Sequence, residues 1–187
     1  MRLRGVAVGV SAVCLLAGCT SRDVSTPVPT EAAAPYLCDG VPARGVALLT
    51  GASAPKVEQI GRWGQDDGAF YCTVTVEQDV GLFRGLTVID QRVAATVYGS
   101  AEAAQAELRA TTGRLITASA PGVGAVYGSR KGDLTAAWSC GDRYLEVMAK
   151  GVFDDGRDAE QDLSNLVVSM LPWACGGEKA PTRTVGK

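Results

Sequence analysis

At 187 residues, 47% hydrophobic and 20% charged, the chain has the composition of one globular domain with tails, not of a disordered polymer. A formal net charge of −2 lacks the basic excess of a nucleic-acid-binding surface, so no nucleic-acid partner is expected. With no histidine anywhere, Ser-His-Asp and Cys-His catalysis and every His-ligated metal site are excluded.

The chain opens on Met1-Arg2-Leu3-Arg4, followed by an uncharged 13-residue run from Gly5 to Ala17 and then Gly18. A basic start, a short apolar stretch and a small residue at its end form the layout of a secretory signal over residues 1–18. The run is too short to span a bilayer core as a helix. It closes on Leu16-Ala17-Gly18-Cys19, which resembles the lipobox of bacterial lipoproteins. The resemblance implies that Cys19 receives a diacylglyceryl group on sulfur and becomes the new N-terminus, leaving the domain anchored to the membrane on its outer face. The alternative is an ordinary signal peptide with a chance cysteine. Two acyl chains, at about 0.8 kcal/mol per buried methylene, make such an anchor effectively permanent. Residues 19–35 carry three prolines, several hydroxyl residues and no periodic apolar face, and are expected to be an extended, disordered tether.

A single domain is expected over 36–177, with a flexible tail over 178–187. Pro42 near the start and Gly51 just past the end mark a short helix over 41–50. Lys56 to Trp63 reads as a strand, and Gln65-Asp66-Asp67-Gly68 as a turn. Phe70, Cys72, Val74 and Val76 then alternate with Tyr71, Thr73, Thr75 and Glu77, the period of a strand with one buried face. A third strand follows over 82–93. Ser100 caps a helix to about Thr112, with Gly113 available to end it. Strands are expected over 123–127, 134–140 and 144–149, with turns at 129–132 and at Gly141-Asp142. Ala159, Leu163, Leu166, Val167 and Met170 share one helical face; Asp158, Glu160 and Asp162 sit at its positive end, and Pro172 stops it. The fold class is therefore α+β: an antiparallel sheet with helices packed on it, in two similar helix-plus-hairpin halves.

Of six cysteines, Cys14 belongs to the signal and Cys19 to the lipid site. Cys38, Cys72, Cys140 and Cys175 are an even set in an exported chain, which reads as two disulfides. Three connectivities are possible; Cys38–Cys72 and Cys140–Cys175 are favoured because each closes a loop of similar length at one end of the domain. In the chain-entropy description such loops contribute about 3–4 kcal/mol each. With no CxxC and spacings of 34, 68 and 35 residues, no metal site is expected.

Leu37-Cys38-Asp39, a short helix ending in Leu48-Leu49-Thr50-Gly51, and Cys72 in a strand resemble actinobacterial surface lipoproteins of unknown function. So does Pro121-Gly122-Val123-Gly124-Ala125-Val126-Tyr127 before a hairpin and a final helix. The resemblance spans 36–175, although the tryptophan frequent after the second cysteine is replaced by Thr73. It implies a compact α+β envelope domain and offers no catalytic residues.

Other patterns carry little chemistry. Ser53-Ala54-Pro55-Lys56 matches S-x-x-K, but Pro55 interrupts the turn and the partner motifs of penicillin-recognising enzymes are missing. Gly122, Gly124 and Gly128 match no phosphate loop. Asp154, Asp155, Asp158, Glu160 and Asp162 lack the spacing of a calcium loop and read as capping and a solvated helix face. Trp63, Trp138, Trp173, Phe70 and Tyr71 read as core around the disulfides, unless an exposed cluster lines a cleft, which would point to a ligand or glycan site. The expected function is a lipid-anchored, non-catalytic ligand-binding or sensor module. Its partners are the membrane, through Cys19, and an envelope ligand or protein; no cofactor is expected. The alternative is a small cell-wall hydrolase or transferase using carboxylates or a serine.

Overall fold

A computed structural model describes residues 26–79, 82–128, 132–153 and 156–185, with residues 77–79 and 82–83 described by backbone alone. The signal, Cys19, the tether up to residue 25, the turn residues 129–131 and the pair Asp154-Asp155 lie outside the described residues.

The strands are β1 (Tyr36–Cys38), β2 (Val41–Pro42), β3 (Lys56–Ile60), β4 (Ala69–Asp79), β5 (Leu82–Arg92), β6 (Arg114–Ile116), β7 (Val123–Gly128), β8 (Asp133–Cys140) and β9 (Arg143–Lys150). The helices are α1 (Ala43–Thr50), α2 (Ala101–Ala110) and α3 (Ala159–Ala174). Strands β1 and β2 pair with each other; the other seven form one antiparallel sheet in the order β3-β4-β5-β9-β8-β7-β6. The fold is α+β. Each half supplies a helix and then an antiparallel meander, and the two meanders join through their last strands, β5 and β9.

Period-2 alternation determines which face is buried. Phe70, Cys72 and Val74 on β4, Leu86 and Val88 on β5, and Leu145, Val147 and Ala149 on β9 all turn to the side covered by α3. Leu163, Leu166, Val167 and Met170 of α3 are fully buried there, each contributing about 1.5–3 kcal/mol. Helix α1 packs beside α3. Helix α2 lies on the opposite sheet face, where Ala104 and Leu108 meet Ala125 and Ala137. The disulfides are Cys38–Cys72 and Cys140–Cys175, with Cα–Cα separations of 6.0 and 5.9 Å. The Pro-Gly-x-Gly stretch makes room for Trp138: a Cβ on Gly124 would lie 2.3 Å from its ring, and the indole N–H donates to the Pro121 carbonyl at 3.0 Å.

Several expectations need correction. Pro172 does not stop α3, which continues through it to Ala174. A proline near the end of a helix costs one backbone bond to the preceding turn without breaking the remaining ones. Helix α2 ends at Ala110 rather than near Gly113, because Thr111 is already extended. Both tails pack within their described parts. Val28 is 1% exposed; its N–H donates to Asp162 Oδ1 at 2.9 Å, and its carbonyl accepts from Asn165 Nδ2 at 2.8 Å. At the other end the Gly40 N–H donates to the Pro181 carbonyl at 2.7 Å, and the Thr184 N–H to the Tyr36 carbonyl at 3.0 Å. The two-residue strand β2 leaves backbone groups of β1 unpaired, and the 181–185 segment satisfies them.

Candidate functional site

Two tryptophans far apart in sequence meet at one end of the sheet. Trp63 follows β3 and stacks on Phe70, with ring centroids 4.6 Å apart. Trp173 sits in the last turn of α3 and approaches Trp63 edge-on, at 6.4 Å and 82°. Gly40, in the turn between β1 and β2, lies against both. A Cβ there would be 2.5 Å from Trp173 Nε1 and 2.9 Å from Trp63 Nε1, and the residue holds φ of +67°. Only glycine combines that backbone with so close an approach. The Trp63 indole donates to the Asp39 carbonyl at 2.5 Å. The Trp173 indole nitrogen is buried and has no acceptor among the described residues. A buried indole N–H ordinarily finds one.

Around this pair lies a cleft of about 580 Å³, closed on one side by the 177–182 segment and rimmed by Arg62, Glu178 and Lys179. A second hollow of about 470 Å³ continues from it past Gly64 and Gly177, with Cys140 and Cys175 in its wall. The loop between β3 and β4 that carries Gly64 is held from behind. Asp90, 1% exposed, accepts from the Gly64 N–H at 3.0 Å and is chelated by the Arg143 guanidinium, which also donates to the Gln65 carbonyl at 3.1 Å. Burial pushes the Asp90 carboxyl above its ordinary range, against the opposing pull of Gly64 and Arg143. Nearby, Arg92 bonds Asp66 and holds that carboxyl below its usual value.

The sequence-derived residues fall in different places. Cys140 and Cys175 reach the cleft wall, Cys38 and Cys72 lie in the core, and Cys19 is outside the described residues. Lys56 pairs with Glu58 at 2.9 Å on β3, and Ser53 lies in the loop before it. The acidic run separates into roles: Asp158 caps α3 by accepting from the Gln161 N–H, Glu160 pairs with Arg114, and Asp162 is not on a solvated face at all. Asp162 is 3% exposed, bonded to Arg157 Nε at 2.7 Å. Trp138 and Phe70 are core, as expected; Trp63 and Trp173 are half-buried and line the cleft. Arg62, Glu178 and Lys179 carry no sequence signal beyond being charged. Among the described residues no group of three or more Cys, Asp or Glu is placed to hold a metal ion.

The cleft and the N-terminal attachment lie at opposite ends of α3. Residues 26–28 are tied to its start, through Arg157 to the Thr26 carbonyl and through Asp162 and Asn165 to Val28. Trp173 and Cys175 stand at its finish, 16 helical residues or about 24 Å away. No family model matches the chain, and neither a curated protein nor a solved structure matches it.

Proposed function

We propose that the chain is a lipid-anchored envelope protein, held to the outer face of the membrane through Cys19, and that it acts as a non-catalytic binding module whose ligand enters the Trp63–Trp173 cleft. The two disulfides fit an oxidising compartment outside the cytoplasm. The observation that carries the reading is the placement of attachment and cleft at the two ends of α3. Seven Cα–Cα steps lead from Cys19 to Thr26, a reach of at most about 25 Å. An anchor of that length holds the start of α3 within about 25 Å of the bilayer, and the cleft lies at the other end of the helix. The cleft offers aromatic edges and rim charges of both signs. These suit a polar ligand with a flat apolar face, such as an envelope glycan.

The test has two arms. Cys19→Ala should abolish lipid modification and leave an unprocessed or mislocalised precursor, while Lys179 in the wild type should react with a membrane-impermeant amine reagent on intact cells. Solubilised wall-glycan fragments should change the tryptophan fluorescence of the full chain, and Trp173→Ala should remove the response. Normal processing of the Cys19→Ala variant would refute the anchor. A response unchanged in Trp173→Ala would refute the cleft.

A further inference from the structure

A second pocket lies on the sheet face away from α3, beside α2, and has a different chemistry. Tyr144 and Glu146 are two apart on β9 and share that face. Gln91 on β5 pairs opposite Tyr144, and Ala137 on β8 pairs opposite Glu146, with Ala125 of β7 beyond it. Both alanines are covered by α2. The segment after β5 turns back over this face: Thr96 Oγ1 donates to the Val93 carbonyl at 2.6 Å and accepts from the Tyr98 N–H at 3.2 Å. This brings the Tyr98 ring to 5.5 Å from Tyr144, tilted by 49°. The result is a pocket of about 240 Å³ with Tyr98, Tyr144, Gln91 and Glu146 in its walls. Tyr127 stands next to it, half-buried against the cluster that holds Tyr144.

Glu146 is the anomaly. Its carboxyl is half-buried, burial raises its pKa, and no cation offsets that cost among the described residues. The other charges felt here are also acidic. Glu146 itself repels the phenolates of Tyr127 and Tyr144, and Glu107 of α2 adds to the repulsion at Tyr127, whose hydroxyl is pushed up to about 12, chiefly by burial. A partly desolvated carboxylate beside tyrosine faces lacks only a positive partner, and aromatic rings and a carboxylate attract the same kind of ligand.

We propose that the Tyr98–Tyr144–Glu146 pocket binds an organic ammonium group. The cation sits against the Tyr98 ring, which Tyr144 backs, and pairs with the Glu146 carboxylate. Its volume admits one alkylammonium head and not a large ligand. The head has two possible sources: a free small amine, or an ammonium carried on a polypeptide such as a lysine side chain. The site is separate from the Trp63–Trp173 cleft and does not depend on the reading given to that cleft.

The experiment is calorimetric titration of the full chain at pH 7 with tetramethylammonium, n-butylammonium and the peptide Gly-Lys-Gly amide, against sodium chloride at equal ionic strength. At least one ammonium probe should bind while sodium does not. Glu146→Gln and Tyr98→Leu should each weaken binding about tenfold or more, whereas Tyr98→Phe, which keeps the ring, should retain it. Glu146→Gln should also melt no lower than the wild type, which separates loss of a ligand group from loss of fold. Preference for the free alkylammonium ions assigns the site to a small amine; preference for the lysine peptide assigns it to a polypeptide. No binding of any ammonium probe, or binding equal in Glu146→Gln and wild type, overturns the proposal.

Discussion

Val28 and Asp162 are 134 residues apart, yet the backbone N–H of Val28 donates to the buried Asp162 carboxylate at 2.9 Å, while the same carboxylate takes the Arg157 guanidinium at 2.7 Å on its other oxygen. One side chain thus fixes the N-terminal segment to the first turn of α3. That junction sets where any anchor upstream of it is applied.

Asp162→Ala is expected to be strongly destabilising. Both members of the Arg157–Asp162 pair have side chains only 5% exposed. Removing the carboxylate takes the negative partner from a buried guanidinium and strands the buried Val28 N–H, at about 3–5 kcal/mol. The urea midpoint at pH 7 should fall accordingly, and limited proteolysis should cut near Thr26 before it cuts the sheet. An unchanged midpoint would contradict the role assigned to this junction.

Gly40→Ala tests the tryptophan junction. The new methyl would need a left-handed backbone and the space now held by two indole nitrogens. The two costs together come to about 2–5 kcal/mol. The variant should melt lower, and its tryptophan emission should shift to the red as Trp63 and Trp173 separate. A Gly40→Ala protein with wild-type stability and emission would mean that the turn tolerates the side chain.

How much of this was legible in the sequence depended on how each signal is carried. Strand β4 was readable because Phe70, Cys72 and Val74 repeat with period two along a strand long enough to show it. Helix α3 was readable from Leu163, Leu166, Val167 and Met170. Strands β1 and β6, three residues each, are too short to show any period. Val28 sits among prolines and hydroxyl residues, so composition averages away its burial. The 181–185 segment docks through backbone groups, which no side-chain pattern reports. In the sequence Asp162 looks like a solvated acid, because its burial depends on what arrives from 134 residues away. The cleft requires Trp63 and Trp173 to meet, and the second pocket requires Tyr98 to fold back on Tyr144; sheet order, not local sequence, decides both.

Asp158 gives a pH signature. Its carboxylate accepts from the Gln161 N–H at the start of α3, with Arg114 alongside, and both hold its pKa below the reference value of 3.8. A carboxyl whose folded pKa is depressed contributes stability that is fully present above its unfolded pKa. The contribution is lost as pH falls through the folded value. Asp158→Ala should therefore cost about 1 kcal/mol at pH 7 through loss of the cap, and the difference in melting temperature should close as both proteins are taken to acid. A difference that persists undiminished at the lowest pH would mean that something other than the charged cap is responsible.

Pro172 offers the reverse test, a substitution expected to stabilise. It lies within α3 with its ring exposed, and having no N–H it leaves the Val168 carbonyl without its usual partner from the next turn. Pro172→Ala restores that bond and removes the ring's clash with the preceding turn, a gain of up to about 3 kcal/mol for an interior position. Against it stands the extra freedom the alanine gives the unfolded chain, about 0.4–1 kcal/mol. The Pro172 carbonyl accepts from the Glu178 N–H at 3.1 Å, and that bond does not need the ring, so the 177–182 wall of the cleft should stay in place. The expected result is a net gain of about 1–2 kcal/mol in chemical denaturation, with tryptophan emission unchanged. A loss of stability would show that the helix end is bent to fit the proline and that Trp173 is positioned by that bend, not by the edge-on packing of Tyr36, 6.4 Å away, and of Trp63 against it.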